Sequence, residues 1–380
     1  MLTACQSVAD LRIHAQRCLP TPIFHFLDGG AETEATVRRN TNAFDNLQLI
    51  PRCLIDVGAV KTAVRLLGQE VEWPVLCSPT GASRLFHPHG ELAAARAAAD
   101  TGTLYSLSTY STYSLEEVAL VDGPKVFQLY VLKDRDMTRA LIERCRMAKY
   151  RALCITVDVP AIGNRERDRR SGISGRMRWN LHNVISFARR PAWVLGQLRA
   201  GPRYMPNIAH TGHNGRRESA TRVTIDIDPS VTWKDIRAIR DLWSGPLALK
   251  GVMSPDDARR AADVGVTAVI VSNHGGRQLD GAAASIEVLP EIVRAVGNRV
   301  EVILDGGIRR GTHVLKALAL GAKGCSIGRP YLYGLAVAGQ AGATKALHIL
   351  REELILAMRL SGCVDVASVG EDIVRRSPSG

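Results

Sequence analysis

Ser272-Asn273-His274-Gly275-Gly276-Arg277-Gln278-Leu279-Asp280-Gly281 carry side chains suited to chemistry. They directly follow Ala268-Val269-Ile270-Val271, an apolar run that reads as a buried strand. On the Gly-rich turn that leaves it, His274 and Arg277 set a titratable base beside a fixed cation. A base that takes a proton and a guanidinium that grips a carboxylate are what work on a hydroxy acid requires. Alone, the same residues also suit a helix cap and a surface charge.

Other residues supply the rest of such a site. Asp158 ends another apolar run, and a carboxylate near His274 would orient the imidazole and stabilise the imidazolium. Arg165, seven residues on, offers a second guanidinium. Lys250 closes a strand-like run and needs a partner, since an unpaired buried ammonium is costly. It could form a Schiff base, hold a phosphate, place positive charge beside an electron-accepting ring, or make a structural salt bridge. Asp305-Gly306-Gly307-Ile308-Arg309-Arg310-Gly311 and Gly328-Arg329-Pro330 each combine backbone N–H groups freed by glycine with an arginine, a cradle for a phosphate.

These residues share one kind of place. Eight short apolar runs begin at Val75, Leu104, Val126, Cys154, Leu247, Ala268, Val300 and Gly324. Most are followed by amphipathic stretches, such as 91–101, 137–149, 255–264 and 312–320. Alternating strands and helices imply parallel pairing, and eight units predict a closed (β/α)8 TIM barrel. Polar residues cluster where each run ends: Pro79-Thr80-Gly81, Ser108-Thr109-Tyr110, Gln128 and Tyr130, Thr156 and Asp158, Lys250, Ser272 to Arg277, Asp305 to Gly307, and Gly328-Arg329. The C-terminal rim of such a barrel is where reactive groups lie, with phosphate after strands seven and eight. Two stretches are extra: an N-terminal helical extension over 1–70, where Ser7 and Asp10 suggest a capping box, and an insertion at 165–222 between strands four and five. The whole, 1–380, reads as a single domain.

The net charge is +12, and it is concentrated. Residues 165–222 hold thirteen arginines, no lysine and three acids, Glu166, Asp168 and Glu218. Within 176–203, Arg176, Arg178, Arg189, Arg190, Arg199 and Arg203 accompany Trp179, Phe187, Trp193 and Leu195, with Leu181, Val184, Ile185 and Ala188 at helical spacing. Arginines flanking an apolar aromatic face suit an anionic membrane surface; a solvated lid over the site is the alternative. No nucleic-acid motif accompanies them. The eight cysteines form no Cys-x-x-Cys pair, so a reducing compartment with no zinc site and no disulfide is expected. No signal pattern or spanning run is evident.

The two Gly/Arg motifs, with Gly29-Gly30-Ala31-Glu32, Asn40 to Phe44, Phe127-Gln128-Leu129-Tyr130 and Lys316 to Ala322, resemble the FMN-dependent 2-hydroxy acid oxidases and dehydrogenases over residues 7–370. Glycolate oxidase, L-lactate dehydrogenase and (S)-mandelate dehydrogenase belong to that family. The resemblance implies an FMN phosphate on Gly307, Arg309, Gly328 and Arg329. It places the ring on Pro79, Thr80 and Gly81, its edge on Ser108, Gln128 and Thr156, and Ser272 and Asp305 in the cofactor site. Lys250 would stabilise negative charge on the reduced flavin. His274 would act as the base, with Asp158 behind it and hydride passing to flavin N5. Arg165, Arg277 and Tyr130 would hold the substrate.

The family usually has a tyrosine four residues before the glycine of its Gly-Ala-Glu motif, where this chain has Phe26. A lost hydrogen bond to a charged group weakens binding by roughly 1.5–3 kcal/mol if nothing replaces it. Tyr110 takes a substrate-facing position, which suggests a pocket for more than lactate. Gly81 stands where many dehydrogenases have glycine and oxidases tend to have alanine. The expected reaction is therefore oxidation of an (S)-2-hydroxy acid to the 2-oxo acid, with electrons passing to a quinone or other acceptor. An oxidase making hydrogen peroxide and a non-catalytic membrane-associated flavin-binding protein are the alternatives. Membrane-bound members carry their anchor in the same loop, which implies a cytoplasmic protein peripheral on the inner membrane. Family likeness also implies a homotetramer.

Overall fold

The structure, a computed structural model, describes residues 2–173, 180–208 and 227–377. Eight parallel strands close into a barrel: β1 Val75–Thr80, β2 Leu104–Ser108, β3 Lys125–Leu129, β4 Ala152–Thr156, β5 Leu247–Val252, β6 Ala268–Val271, β7 Glu301–Asp305 and β8 Gly324–Ile327. Pairing of β8 with β1, Cys325 against Val75, completes the ring. All eight predicted strands are present, and two ends differ from expectation. Lys250 does not end β5, which runs on through a register shift to Val252. Asp158 lies two residues beyond β4. Gly251 links the two differences: a Cβ there would stand 2.6 Å from the Asp158 side chain, and its φ is +105°.

The pleat sorts each strand into an outer and an inner face. Val75, Cys77, Leu107, Phe127, Ile155 and Leu249 point outward into the main core beneath the helices. Leu76, Leu104, Val126, Cys154, Ala248, Ile270 and Ile303 make a second core inside the barrel, joined by Leu66, Leu67 and Val71. Leu66 and Val71 belong to a small antiparallel hairpin, Val64–Leu66 with Gln69–Val71. Two residues along the same inner face, the chain changes character. There stand Ser78, Ser106, Gln128, Thr156, Lys250, Ser272 and Asp305, all buried. The barrel is thus apolar inside and capped at its C-terminal end by one polar layer.

Helices surround it. The extension forms α1 Val8–Cys18, α2 Thr21–Asp28 and α3 Ala35–Asn42. Next come α4 Gly90–Asp100, α5 Leu115–Ala119 and α6 Arg135–Met147. The insertion holds α7 Glu166–Ser171, α8 Leu181–Ala188 and α9 Pro191–Ala200. Then follow α10 Trp233–Leu242, α11 Pro255–Val264, α12 Ser285–Val296, α13 Gly311–Ala319 and α14 Arg329–Leu360. Local chemistry sets the ends. Ser7 and Asp10 form the expected capping box on α1. Asp134 accepts from Asp136 N and Met137 N to start α6. Long α14 bends at Ala338 and Gly339, where the backbone leaves helical angles.

The extension buttresses the rim. Asn40 of α3 exchanges two 2.8 Å side-chain hydrogen bonds with Asn273. Asp280 caps the start of α3 from across the fold, accepting from Thr36 N at 2.8 Å and Ala35 N at 3.2 Å. Gly307, with φ +76°, lies so near that a Cβ would fall 1.8 Å from the Asn40 carbonyl oxygen.

In the insertion, Trp179, Arg176 and Arg178 lie outside the described residues. Phe187 and Trp193 do not join the outer apolar aromatic face expected of this segment. Both pack against the core, their rings 5.5 Å apart, and the Trp193 indole donates to Leu85 O at 3.0 Å. A buried indole N–H needs such a partner, and the loop after β1 supplies it. Among the described residues of the insertion, the large apolar side chains that are exposed are Leu181, Val184 and Ile185 on α8 and Leu195 and Leu198 on α9.

Replacing Gly307 with alanine forces a left-handed backbone on a side chain that overlaps α3. Gly307→Ala should lower stability by about 2–5 kcal/mol. Urea denaturation reads it, and an unchanged midpoint would contradict the packing of α3 on the β7 loop.

Candidate active site

The loop after β6 brings its histidine to the carboxylate after β4. His274 Nδ1 stands 2.9 Å from Asp158 Oδ1, although the residues are 116 apart in sequence. With Nδ1–H donating to the carboxylate, Nε2 keeps its lone pair as a proton acceptor. His274 is held at φ +59°, unusual for a residue with a side chain. Three contacts fix the turn: His274 N donates to Ser272 Oγ, Gly276 N donates to Asn273 Oδ1, and Asn273 is clasped by Asn40. Gln278, which the motif contains but sequence reasoning left without a role, ties the two loops together. It donates to Asp158 O and Ala161 O and accepts from Gly163 N.

Beneath this dyad lies the polar layer. Lys250 Nζ is 2.8 Å from Asp305 Oδ2 and 2.9 Å from Ser272 Oγ. Ser272 donates to Asp305 at 2.6 Å, and Ser78 donates to it at 3.0 Å. Burial opposes both charges, but each partner outweighs that penalty. The Lys250 pKa lies above the ordinary lysine value and that of Asp305 below the carboxylate range. Of the readings open to Lys250, the ion pair is present, and Lys250 also lines the cavity above. Ser272 lies below that surface and joins the pair to the His274 backbone. Ser108 donates to Gln128 Oε1 at 3.1 Å, which leaves the buried Gln128 Nε2 without a partner. Thr156 Oγ1 and Ser326 Oγ are buried and unpartnered too.

Arginines converge from three elements. Arg277 Nη1 donates to Phe26 O and Gly29 O at 2.9 and 2.8 Å, and its guanidinium lies 5.2 Å over the Phe26 ring. Phe26 therefore supports an arginine by cation–π contact. Arg165 Nε donates to Arg277 O at 3.4 Å. Arg329 donates to Asp28 O, Gly275 O and Gly29 O. Burial, then the charges of Arg165 and Arg329, pushes Arg277 well below its ordinary pKa. Buried Asp168, counted in the sequence merely as an acid of the basic segment, offsets part of this charge. Guanidinium groups stay protonated, so the strain favours an incoming anion.

Asp28 anchors the same corner. Arg12 and Arg167 bond its carboxylate, and Tyr333 donates to it at 2.7 Å. Burial would raise this carboxyl, yet the Arg12 and Tyr333 hydrogen bonds and both arginine charges hold it well below the usual range.

One cavity of about 1300 Å³ joins these groups. It is lined by Pro79, Thr80, Gly81, Ser108, Tyr110, Tyr130, Arg165, Lys250, His274, Arg277, Asp305, Gly307, Arg309, Gly328, Arg329 and Phe26. Gln128, Thr156, Ser272 and Asp158 stand behind that lining. Thr80 Oγ1 bonds the Tyr331 hydroxyl at 2.7 Å. Arg309 Nη1 donates to Ile308 O, and Gly328 precedes the N-terminus of α14. Buried Glu91 accepts from Ser83 N and Thr112 N, both at 2.9 Å, joining the loops after β1 and β2. It stands in the first turn of an alanine-rich helix, where an acidic residue is ordinary, so nothing local marks it.

Lys250→Met would leave Asp305 an uncompensated buried charge. That change should cost about 3–5 kcal/mol, whereas Lys250→Met with Asp305→Asn should cost less. Denaturation of both variants checks this; equal losses would refute the pairing.

Residues 15–376 match the family described as FMN-dependent dehydrogenase. The chain is 45% identical to an L-lactate oxidase of Nostoc sp. over 91% of each chain. It is 42% identical to an L-lactate dehydrogenase of Caulobacter vibrioides over 97% of each. Its fold matches a crystal structure of the monotopic membrane protein (S)-mandelate dehydrogenase at TM-score 0.94 and 34% identity, covering 98% of this chain and 100% of that one. The chain belongs to the FMN-dependent dehydrogenase family, whose members oxidise 2-hydroxy acids.

Proposed function

We propose that the protein oxidises an (S)-2-hydroxy acid, lactate-like or larger, to the 2-oxo acid and passes the electrons to a quinone or another acceptor. The observation that carries this reading is the His274–Asp158 dyad facing the same cavity as Arg165 and Arg277. His274 Nε2 accepts the substrate proton, and Asp158 stabilises the imidazolium that forms. Arg165 and Arg277 grip the carboxylate. The Tyr130 phenol, whose pKa is pushed up by burial and by Asp158, stays protonated as a donor to the substrate oxygen. Phe26 and Tyr110 shape the substrate space.

FMN supplies the two-electron acceptor when bound. The residues present fit it. Gln128 Nε2 and Thr156 Oγ1 are buried and unpartnered, as donors awaiting a ring edge would be. Pro79, Thr80 and Gly81 would carry the ring, with Ser108 at its edge. Gly307, Arg309, Gly328 and Arg329 would hold the phosphate, and Lys250 would place positive charge beside the ring.

Two observations favour a dehydrogenase over an oxidase. The first is Gly81, which stands where many dehydrogenases of the family have glycine and the oxidases tend to have alanine. The second is the exposed apolar pair α8 and α9, flanked by Arg189, Arg190 and Arg199, which suits an anionic membrane surface. No described helix is long and apolar enough to cross a membrane, so attachment would be peripheral.

L-lactate or L-mandelate should bleach the flavin anaerobically, and Asp158→Asn should slow this by about 10²–10⁴-fold. No bleaching by any hydroxy acid would sink the enzyme reading. Reoxidation by air within seconds would favour the oxidase. Separately, the protein should float with vesicles containing anionic lipid, and Ile185→Glu with Leu181→Glu should release it. Equal flotation of that variant would refute attachment through α8.

A further inference from the structure

The cavity of about 1300 Å³, which FMN and the hydroxy acid share in the reading above, extends to α9. Beyond Phe26, which stacks on Phe86, one wing of it is apolar. Leu85 and Phe86, from the loop after β1, form one wall; Phe187, Trp193, Val194 and Leu198 of α8 and α9 form the other. The charged end of a hydroxy acid is drawn to Arg165 and Arg277, so this wing has another use.

The helix pair that builds the wing has two faces. Trp193 and Phe187 point in, while Leu181, Val184, Ile185 and Leu195 point out. Leu198 belongs to both, lining the cavity while 72% exposed, so the cavity reaches the surface at the apolar side of α9. The helix is clamped to the loop that follows the ring-cradling residues 79–81. Trp193 donates to Leu85 O, Gln197 donates to Arg84 O, and Arg84 Nη2 donates to Ala200 O. Arg203, also lining the cavity, donates to Gln197 Oε1 and pairs with no acid among the described residues.

We propose that this wing, between α9 and the loop after β1, is the binding site of a lipid-soluble quinone that enters from the membrane side of α9. The inference rests on the dehydrogenase reading above. Aromatic and aliphatic walls receive the quinone ring and the start of its tail, and Arg203 can donate to a ring carbonyl. The two electrons and two protons lost as a hydroxy acid becomes its 2-oxo acid leave on the quinone as quinol. A lipid-soluble acceptor then never crosses water.

The test uses holoenzyme on anionic vesicles. A photoreactive azidoquinone should label residues within 191–200 of the wild type, as read by peptide mass spectrometry. Val194→Trp, which fills the wing, should slow reoxidation by a short-chain ubiquinone analogue about tenfold. Reoxidation by a water-soluble dye, and bleaching by substrate, should stay within about twofold. Leu198→Trp, at the exposed mouth, repeats the test where folding is not at stake. Labelling elsewhere, or unchanged quinone reoxidation in both variants, overturns the site. A raised KM for mandelate but not lactate, with quinone reoxidation unchanged, overturns it in favour of a substrate side-chain pocket. A wild type that no quinone reoxidises overturns the site; if air reoxidises it within seconds, the dehydrogenase reading falls as well, and if only another acceptor does, that reading stands without the site.

Discussion

A charged pair buried at the mouth of an apolar barrel is the constraint on which the site depends. Lys250 and Asp305 stand on strands separated by β6, and Ser272, just beyond β6, bridges them. Neither charge survives there alone, because desolvation would cost more than any single hydrogen bond returns. Their mutual attraction, with Ser78 and Ser272 on the carboxylate, makes the layer tolerable. The same serine receives the His274 amide, so the pair also sets the height of the base above the barrel. A buried cation thus lies on the cavity floor, and the His274–Asp158 pair hangs over it.

Around the cavity, positive charge is held chiefly by backbone. Arg277 and Arg329 donate to the carbonyls of Phe26, Asp28, Gly29 and Gly275. Carbonyl partners position a guanidinium without neutralising it, and the charge remains available to an anion. Asp28 meanwhile takes Arg12 and Arg167 through its carboxylate and fixes the turn whose carbonyls do this work. Phe26 fits the same scheme. Without a hydroxyl it offers the substrate no hydrogen bond, but its ring lies under the Arg277 guanidinium and stacks near Phe86.

The insertion shows how one short helix pair serves two environments. Its inner aromatic residues complete the cavity wall, and Trp193 and Gln197 pin it to the loop after β1. Its outer leucines, valine and isoleucine meet the surroundings, with arginines beside them. The membrane attachment and the acceptor access proposed above would both run through the same few turns of helix.

The eight strands were legible in the chain because a buried strand must be locally apolar and its rim residues locally polar. The glycine–arginine loops were legible because an anion cradle needs glycine and a cation at short spacing. Period two went further: Ser78, Gln128, Thr156, Lys250, Ser272 and Asp305 each follow an inward apolar residue by two, so one polar layer is implied by the pleat. What no local pattern carries is which distant partner completes each group. Asp158 behind His274 was expected from the family resemblance, and the fold supplied its distance; the fold alone chose Asp305 for Lys250, and Glu91 for the loops after β1 and β2. It also turned Phe187 and Trp193 inward, since helical spacing defines a face but not the direction it looks. The sequence by itself determined which residue types reach the rim and hence the kind of chemistry. Tertiary structure decided their pairings, because ion pairs and buried hydrogen bonds join groups as far apart in the chain as Ser78 and Asp305, 227 residues, which share no local signal.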